Sequence, residues 1–141
     1  MLNLFGGKNE SCGSITTGGT ESIFISMLCY REVAKEKYGI KCPEILTDES
    51  IHPAFDKAAY YLGMKVKKLK LDKNCQISAK RYIKNISKDT IVIALTGIDY
   101  PHGMVRPAKE LNDLLIKKNS WVLIHIDSCM GGYITSMSKY I

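Results

Sequence analysis

Residues 16–22 read Thr-Thr-Gly-Gly-Thr-Glu-Ser, and they open the longest stretch of helical periodicity in the sequence. The first N–H groups of a helix have no partner in its own backbone, and the helix dipole places partial positive charge there. Gly18 and Gly19 let the backbone come close to an anion, and Thr20 adds a hydroxyl. The segment therefore predicts either a phosphate-binding helix start or an ordinary loop with an N-cap.

Outward from this segment, the apolar pattern alternates between helical and strand periods. Gly39 and Gly63 stop the first two helices, and Pro107 opens the last one. The runs at 90–95 and 121–126 are continuously apolar, as buried parallel strands are. This alternation indicates one α/β domain with a mainly parallel sheet flanked by helices. Helices are predicted at 20–38, 52–62, 78–86 and 107–118, and strands at 44–47, 64–71, 90–95 and 121–126.

The composition favours a cytosolic protein with one core. The 141 residues, 45% of them hydrophobic, suffice for one domain. No run reaches the roughly 18 apolar residues of a membrane span, and the first residues lack the features of a signal peptide. Five cysteines without a CxxC pair indicate free thiols. The net charge of +6 comes from dispersed lysines, so we expect no nucleic-acid partner.

Polar residues follow the predicted strands. Asp127 comes directly after the strand 121–126, at the edge where open α/β sheets bind ligands. Its carboxylate can cap the following turn or hold a cationic ring nitrogen, and the residues leave both open. His125 and Asp127 also have a spacing that metal sites use, with His52 and His102 to complete such a site, but no HExxH or cysteine cluster supports a metal. A histidine on an apolar strand is more often a hydrogen-bonded core residue.

Two further segments meet the same edge of the sheet. His52 stands at the start of the predicted helix 52–62, where its imidazole can cap the helix or stack on a planar ligand. Residues 100–103, Tyr-Pro-His-Gly, follow the strand 90–95. The loops after the strands and the helix start at 19–20 therefore converge on one crevice. This convergence predicts a site for a phosphorylated aromatic cofactor.

Four strings of residues, in order along the chain, together resemble the sphingosine-1-phosphate lyases. Those enzymes depend on pyridoxal 5'-phosphate (PLP), have the aspartate-aminotransferase fold (fold type I) and stand near the group II decarboxylases. The resemblance covers about residues 4–133 and implies a partial PLP-binding large domain. The strings are Thr-Gly-Gly-Thr-Glu-Ser at 17–22, His-Pro-Ala-Phe-Asp-Lys-Ala-Ala at 52–59, Pro-His-Gly at 101–103 and His-Ile-Asp-Ser-Cys-Met-Gly-Gly at 125–132.

The resemblance implies how the cofactor is held. Gly19 and Thr20 would bind the phosphate of PLP, and His52 would stack on its pyridine ring. Asp127 would pair with the protonated pyridine nitrogen and keep the ring an electron sink.

The resemblance also implies a lining and a reaction. Thr96 and His125 would line the same site. The reaction would break the C2–C3 bond of a phosphorylated long-chain base, giving a fatty aldehyde and phosphoethanolamine, in an enzyme that is a homodimer. Two alternatives stay open: a catalytically inactive chain of the same fold that acts by binding or pairing, and a PLP-dependent amino-acid decarboxylase. The Gly-Gly-Thr-Glu-Ser and Pro-His-Gly strings favour the lyase.

Two features depart from the family pattern. Arg106 stands where the family typically has Asp, so we expect a reversed charge beside the pocket that affects substrate handling. The Schiff-base lysine of the family lies downstream of the Asp strand, and Lys139 lacks its context, so we expect no catalytic residue within 1–141. The N-terminal segment, the lysine region and the C-terminal small domain are expected to lie outside this range, leaving the chain alone marginally stable and inactive. The resemblance leaves open an association of the full-length protein with the endoplasmic reticulum membrane.

Overall fold

A computed structural model describes residues 2–137, in which helices and strands alternate along the chain. The expectation about Lys139 lies outside the described residues. After a 3-10 helix at Leu2–Phe5, the elements in chain order are α1 Gly19–Tyr38, β1 Glu44–Asp48, α2 Ala54–Leu62, β2 Lys65–Leu69, α3 Ala79–Asn85, β3 Thr90–Thr96, α4 Ala108–Lys117, β4 Leu123–Asp127 and α5 Gly132–Met137.

The four strands form one sheet in the order β2-β1-β3-β4, and each neighbouring pair is parallel. Every residue of the central strand β3 is buried, as its continuous apolar run predicts. The chain moves from β1 to β2 on one side and then places β3 on the other side of β1. The direction of winding therefore reverses between β1 and β3, and the α/β fold with a parallel sheet is confirmed.

Helices cover both faces of the sheet, and each pair of helices encloses its own apolar cluster. On one face, Met27 of α1 and Phe55 of α2 are buried against Val92 of β3. On the other face, Tyr82 of α3 and Leu111 of α4 are buried in a second cluster with β3 residues. Fully burying one such side chain contributes about 1.5–3 kcal/mol. The two clusters thus hold a rigid sheet whose strand ends can carry a site.

The eight predicted helices and strands each overlap an observed one, and α1 and α2 end at the predicted glycines. The prediction of a buried strand at 121–126 is wrong in part. β4 runs from Leu123 to Asp127 at the edge of the sheet, where Leu123 and Ile126 are 39% and 45% exposed. β4 has β3 as its one neighbour among the described strands, so its outer edge is not covered by another described strand, and apolar side chains on both of its faces stay partly exposed. The short helix α5 and the 3-10 helix were not predicted, since neither has a clear apolar period.

A membrane-crossing helix needs about 20 apolar residues. Within residues 2–137, none of the helices combines the length and the apolar character that such a crossing requires.

Candidate active site

The candidate residues lie at the carboxyl edge of the sheet. Thr96 ends β3 and Asp127 ends β4, and the two are direct partners in the parallel register. Because partners in register point to the same face, their side chains are neighbours. His52 follows β1, across the point where the winding reverses. Ligands of open α/β sheets bind at this point, so the fold brings the predicted residues to the expected place.

A cavity of about 300 Å³ unites three of the predicted residues. This volume is at the lower end of the range for small-molecule sites. Four of its wall residues carry no individual signal in the sequence, although the loops after β3 and β4 are expected at this edge. The cavity is lined by the predicted His52, Thr96 and Asp127, and by Ile98, Tyr100, Cys129 and Met130.

A second cavity of about 300 Å³ adjoins the first, because Asp127 and Cys129 line both. Gly19 and His125 line this second cavity. Thr20 follows Gly19 in the first turn of α1 and is exposed. The predicted helix start therefore meets the carboxyl end of β4, where Asp127 lines both cavities.

The start of α1 is organised by its own side chains. The carboxylate of Glu21 accepts hydrogen bonds from both the backbone N–H and the hydroxyl of Thr17, each at 2.6 Å. These hydrogen bonds lower the pKa of the Glu21 carboxyl below its ordinary value. The segment before the helix is thus held in place, while the N–H groups of the first turn stay outside the helical ladder.

Asp127 has the structural role that the sequence left open. Its Oδ1 accepts a hydrogen bond from the backbone N–H of Cys129 at 3.0 Å, which shapes the turn after β4. An ionised carboxylate has two oxygens with about four acceptor positions. The turn therefore uses only part of this capacity, and capping does not compete with ligand binding.

His125 is a hydrogen-bonded core residue that also lines the second cavity. Its Nδ1 lies 3.2 Å from the hydroxyl of Tyr30, and the rings of Tyr30 and Phe55 meet it edge-on at 5.9 and 5.5 Å. Burial lowers the pKa of His125, and the nearby Asp127 opposes this only in part. The imidazole is therefore neutral at pH 7, and burial keeps the Tyr30 hydroxyl protonated by raising its pKa.

His52 has the capping role that the sequence predicts, and its stacking role stays a prediction. Its Nδ1 accepts a hydrogen bond from the backbone N–H of Ala54 at 3.1 Å, which caps the start of α2. Because Nδ1 is the acceptor, the neutral ring carries its proton on Nε2. The cap fixes the position of the imidazole, and the same side chain lines the first cavity.

Thr96 gives the site its clearest sign of a ligand. The residue is 6% exposed, and its hydroxyl has no hydrogen-bond partner among the residues that the structure describes. An unsatisfied buried hydroxyl costs about 1–3 kcal/mol. It lies in the wall of the cavity that also holds a histidine ring and a carboxylate. A planar ligand with a cationic ring nitrogen and a hydrogen-bonding ring substituent, such as PLP, fits this set of groups.

Arg106 does not direct its reversed charge at the pocket. Its side chain is 1% exposed and pairs with two carboxylates, through Nε to Asp48 at 3.0 Å and through Nη2 to Asp99 at 2.9 Å. Further hydrogen bonds run to the Ser50 hydroxyl and to the carbonyl of Cys75. The reversed charge expected at Arg106 is therefore balanced by two carboxylates that are buried with it, while its effect on substrate handling stays a prediction.

The histidines considered for a metal have other partners. His102 Nδ1 lies 2.8 Å from the carboxylate of Asp99, His125 bonds to Tyr30, and His52 caps α2. Among residues 2–137, no group of three or more His, Cys, Asp or Glu side chains is arranged to hold a metal ion.

The parallel sheet, with a carboxylate, a histidine and a helix start at its carboxyl edge, defines the cofactor-binding part of a fold type I PLP enzyme. The chain belongs to the aminotransferase class-V family, whose sequence profile matches residues 3–135. It is 41% identical over 132 residues to sphingosine-1-phosphate lyase 1 of Mus musculus. The aligned region covers 94% of this chain and 23% of the mouse protein. The chain spans about a quarter of the length of the curated relatives it matches.

Solved structures agree with the sequence relatives. A sphingosine-1-phosphate lyase of Burkholderia pseudomallei superposes with a TM-score of 0.86 at 30% identity, over 96% of this chain and 32% of that one. A glutamate decarboxylase of Lactobacillus brevis superposes with a TM-score of 0.80 at 20% identity, over 98% of this chain and 34% of that one, which shows the shared fold alone. The resemblance predicted from the sequence is confirmed, and PLP is the cofactor of this family.

Proposed function

We propose that this chain is the cofactor-binding part of a PLP-dependent carbon–carbon lyase. Its substrate is a phosphorylated long-chain base, and its products are a fatty aldehyde and phosphoethanolamine. The observation that carries the proposal is the unsatisfied hydroxyl of Thr96 in one cavity with His52 and Asp127. The likeness to the mouse and Burkholderia lyases supports the substrate class.

Each side chain has a distinct role in holding the cofactor. The N–H groups of Gly19 and Thr20 bind the phosphate at the positive end of α1. His52 stacks on the ring, and its cap on α2 keeps the imidazole from turning away. When bound, PLP supplies a pyridinium ring that accepts the electron pair released at the reacting carbon.

Asp127 supplies the negative charge that the ring nitrogen requires. His125, two residues earlier on the same face of β4, stays neutral because burial lowers its pKa. A neutral imidazole does not cancel the carboxylate charge. The pairing of Asp127 with the protonated ring nitrogen is therefore stabilised by a full charge, and the Cys129 N–H keeps the carboxylate in place.

The remaining elements of the proposal concern the whole protein. Among residues 2–137, no lysine lines either cavity. We therefore expect the 141-residue chain to bind PLP without a covalent bond and to be inactive alone. β4 is the edge strand of the described sheet and carries exposed apolar side chains, as we expect of a sheet that other parts of the protein extend and cover. The complete enzyme is proposed to be a homodimer, as the resemblance implies.

The first experiment titrates the 141-residue chain with PLP, followed by its absorbance and by equilibrium dialysis. We expect saturable binding that weakens in Asp127→Asn and stays the same in Asp113→Asn, which changes an exposed carboxylate on α4. Borohydride reduction should attach no PLP to the chain. A wild-type chain that is folded and binds no PLP would contradict the cofactor assignment.

The second experiment tests the reaction in a chimera in which this chain replaces the matched segment of the mouse lyase. We expect PLP-dependent release of fatty aldehyde from a phosphorylated long-chain base. A chimera that is folded and binds PLP but releases no aldehyde would favour the inactive binding chain. Release of carbon dioxide from an amino acid would favour the decarboxylase.

A further inference from the structure

A buried ionic cluster lies beside the cofactor cavity and consists of Asp48, Asp99 and Arg106 with two attached side chains, Tyr82 and His102. Tyr82 donates its hydroxyl to Asp48 at 2.6 Å, and burial together with the Asp48 charge raises the pKa of this tyrosine. Arg106 bridges the two carboxylates, which are 1% and 0% exposed. The cluster therefore ties the end of β1 and helix α3 to the loop between β3 and α4.

Asp99 organises that loop from within. Its Oδ1 accepts the backbone N–H of Met104 at 2.7 Å, and its Oδ2 accepts Arg106 Nη2 at 2.9 Å. Burial by itself raises the pKa of Asp99, but the hydrogen bonds from His102 and Met104 and the charge of Arg106 lower it overall. Asp99 is thus ionised and accepts only. His102 must then donate from Nδ1 across the 2.8 Å contact.

The same loop builds a wall of the cofactor cavity. Ile98 and Tyr100 flank Asp99 in sequence, and both line the cavity with His52 and Asp127. The loop also packs tightly on the turn after β4, since a Cβ on Gly131 would overlap the side chain of Ile98. Any displacement of Asp99 therefore moves two cavity-lining residues and disturbs the turn that carries Asp127.

We propose that Asp99 and Arg106 are positioning residues for the cofactor site. They hold the loop 97–105 so that Ile98 and Tyr100 form the cavity wall, and they fix the imidazole of His102 with its proton on Nδ1. The identity of the ligand in this cavity rests on the proposed function, whereas the ordering of the loop does not. Arg106 thus orders the loop 97–105, although it stands at a position where the sphingosine-1-phosphate lyases typically have Asp.

The test compares Asp99→Asn, Arg106→Lys and Arg106→Gln with the wild-type chain. Asp99→Asn keeps the shape but removes the charge that Arg106 and His102 share. Lys cannot replace the planar fork of Arg, since one ammonium group does not reach both carboxylates as a guanidinium does. Asp113→Asn and Arg81→Gln are matched controls, because both residues are exposed on helices. Circular dichroism establishes that each variant is folded.

Three measurements are made on the same proteins. We expect the PLP dissociation constant to rise roughly tenfold or more in Asp99→Asn, as small misplacements of site groups can produce. Amide hydrogen exchange in residues 97–105 should speed up in Asp99→Asn and Arg106→Gln, and Arg106→Lys should restore part of the protection. Nitrogen NMR of wild-type His102 at pH 8 should show the proton on Nδ1. The controls should match the wild type.

The outcomes separate this inference from the proposed function. If the wild-type chain binds no PLP, the cofactor assignment fails. Amide hydrogen exchange in residues 97–105 and the protonated nitrogen of His102 then still decide whether Asp99 and Arg106 order the loop. If the wild type binds PLP and folded Asp99→Asn binds it equally well with unchanged exchange, the positioning role is overturned. If the variants do not fold, a wild-type His102 with its proton on Nε2 would overturn the arrangement, and a proton on Nδ1 would support it.

Discussion

Two groups of polar side chains lie at the carboxyl edge of one sheet, and they differ in how completely their hydrogen bonds are formed. In the ionic cluster around Arg106, each carboxylate accepts hydrogen bonds from several donors. In the cofactor cavity, the Thr96 hydroxyl has no partner within the described part of the chain, and Asp127 uses one oxygen on a turn. A satisfied cluster stabilises a loop, whereas an unsatisfied one is suited to a ligand.

The largest loss of stability is expected when the charge at the centre of the ionic cluster is removed. Arg106→Met leaves two buried carboxylates without their cation, and breaking a buried pair in this way costs about 3–5 kcal/mol. The free energy of unfolding from a denaturant titration should fall by this amount. Arg81→Met on the exposed face of α3 should change it by less than about 0.5 kcal/mol. If Arg106→Met and Arg81→Met were equally stable, the hydrogen bonds of the ionic cluster would not stabilise the fold.

A substitution in the cofactor cavity should weaken PLP binding but hardly change the free energy of unfolding. Asp127→Asn removes the charge that faces the ring nitrogen, and a hydrogen bond to a charged group contributes about 1.5–3 kcal/mol. The dissociation constant for PLP should therefore rise roughly 10- to 150-fold. Asn retains an oxygen for the Cys129 N–H, so the turn is preserved and the unfolding curve should hardly move. A large loss of stability with unchanged affinity would place Asp127 among the structural residues.

Thr96→Val separates the two groups further, because it should raise the stability of the chain and weaken its binding of PLP. Removing an unsatisfied hydroxyl from the free chain should raise its stability by about 1 kcal/mol. The same change should weaken PLP binding by about 0.5–1.5 kcal/mol, the worth of one hydrogen bond. Thr47→Val is the matched control, because this buried hydroxyl donates to the Ala94 carbonyl at 2.8 Å, and its loss should destabilise the chain. Destabilisation by both variants would show that Thr96 is satisfied.

The sequence predicts the cofactor cavity much better than the ionic cluster, for a physical reason. Strand ends and helix starts follow from apolar periodicity, which places Thr96, Asp127 and Gly19 at one edge without any pairwise information. The partners of Arg106 do not follow from periodicity. Asp48 lies 58 positions away at the end of β1, and a charged residue in a loop such as Arg106 is by default assigned to the surface. Only the folded chain shows that the arginine is buried.

The edge position of β4 was missed for a related reason. An apolar run of six residues does not reveal how many strands flank it. Leu123 and Ile126 are apolar yet exposed within the described chain, so composition alone predicted more burial than this sheet provides. Asp127 nevertheless ends the strand where expected, because strand ends depend on local sequence more than on neighbours.

The smallest effect concerns His125, which belongs to both the core and the cavity. Burial disfavours the charged ring and lowers its pKa from the ordinary value of 6.5, so the unfolded chain binds a proton more readily than the folded chain. The contribution of His125 to the free energy of unfolding is therefore complete above pH 6.5. It is lost as the pH falls from 6.5 through the lowered pKa of the folded state. The free energy of unfolding should fall with acidity over this window.

His125→Gln isolates this contribution. Glutamine offers a carbonyl oxygen to the Tyr30 hydroxyl but does not titrate, while the carboxylates of the chain are common to both proteins. The difference in unfolding free energy between wild type and variant should therefore shrink as the pH falls below 6.5. A constant difference from pH 8 to pH 5 would mean that the ring is equally protonated in both states. Asp127 would then share its face of β4 with a cation only below the ordinary histidine pKa of 6.5.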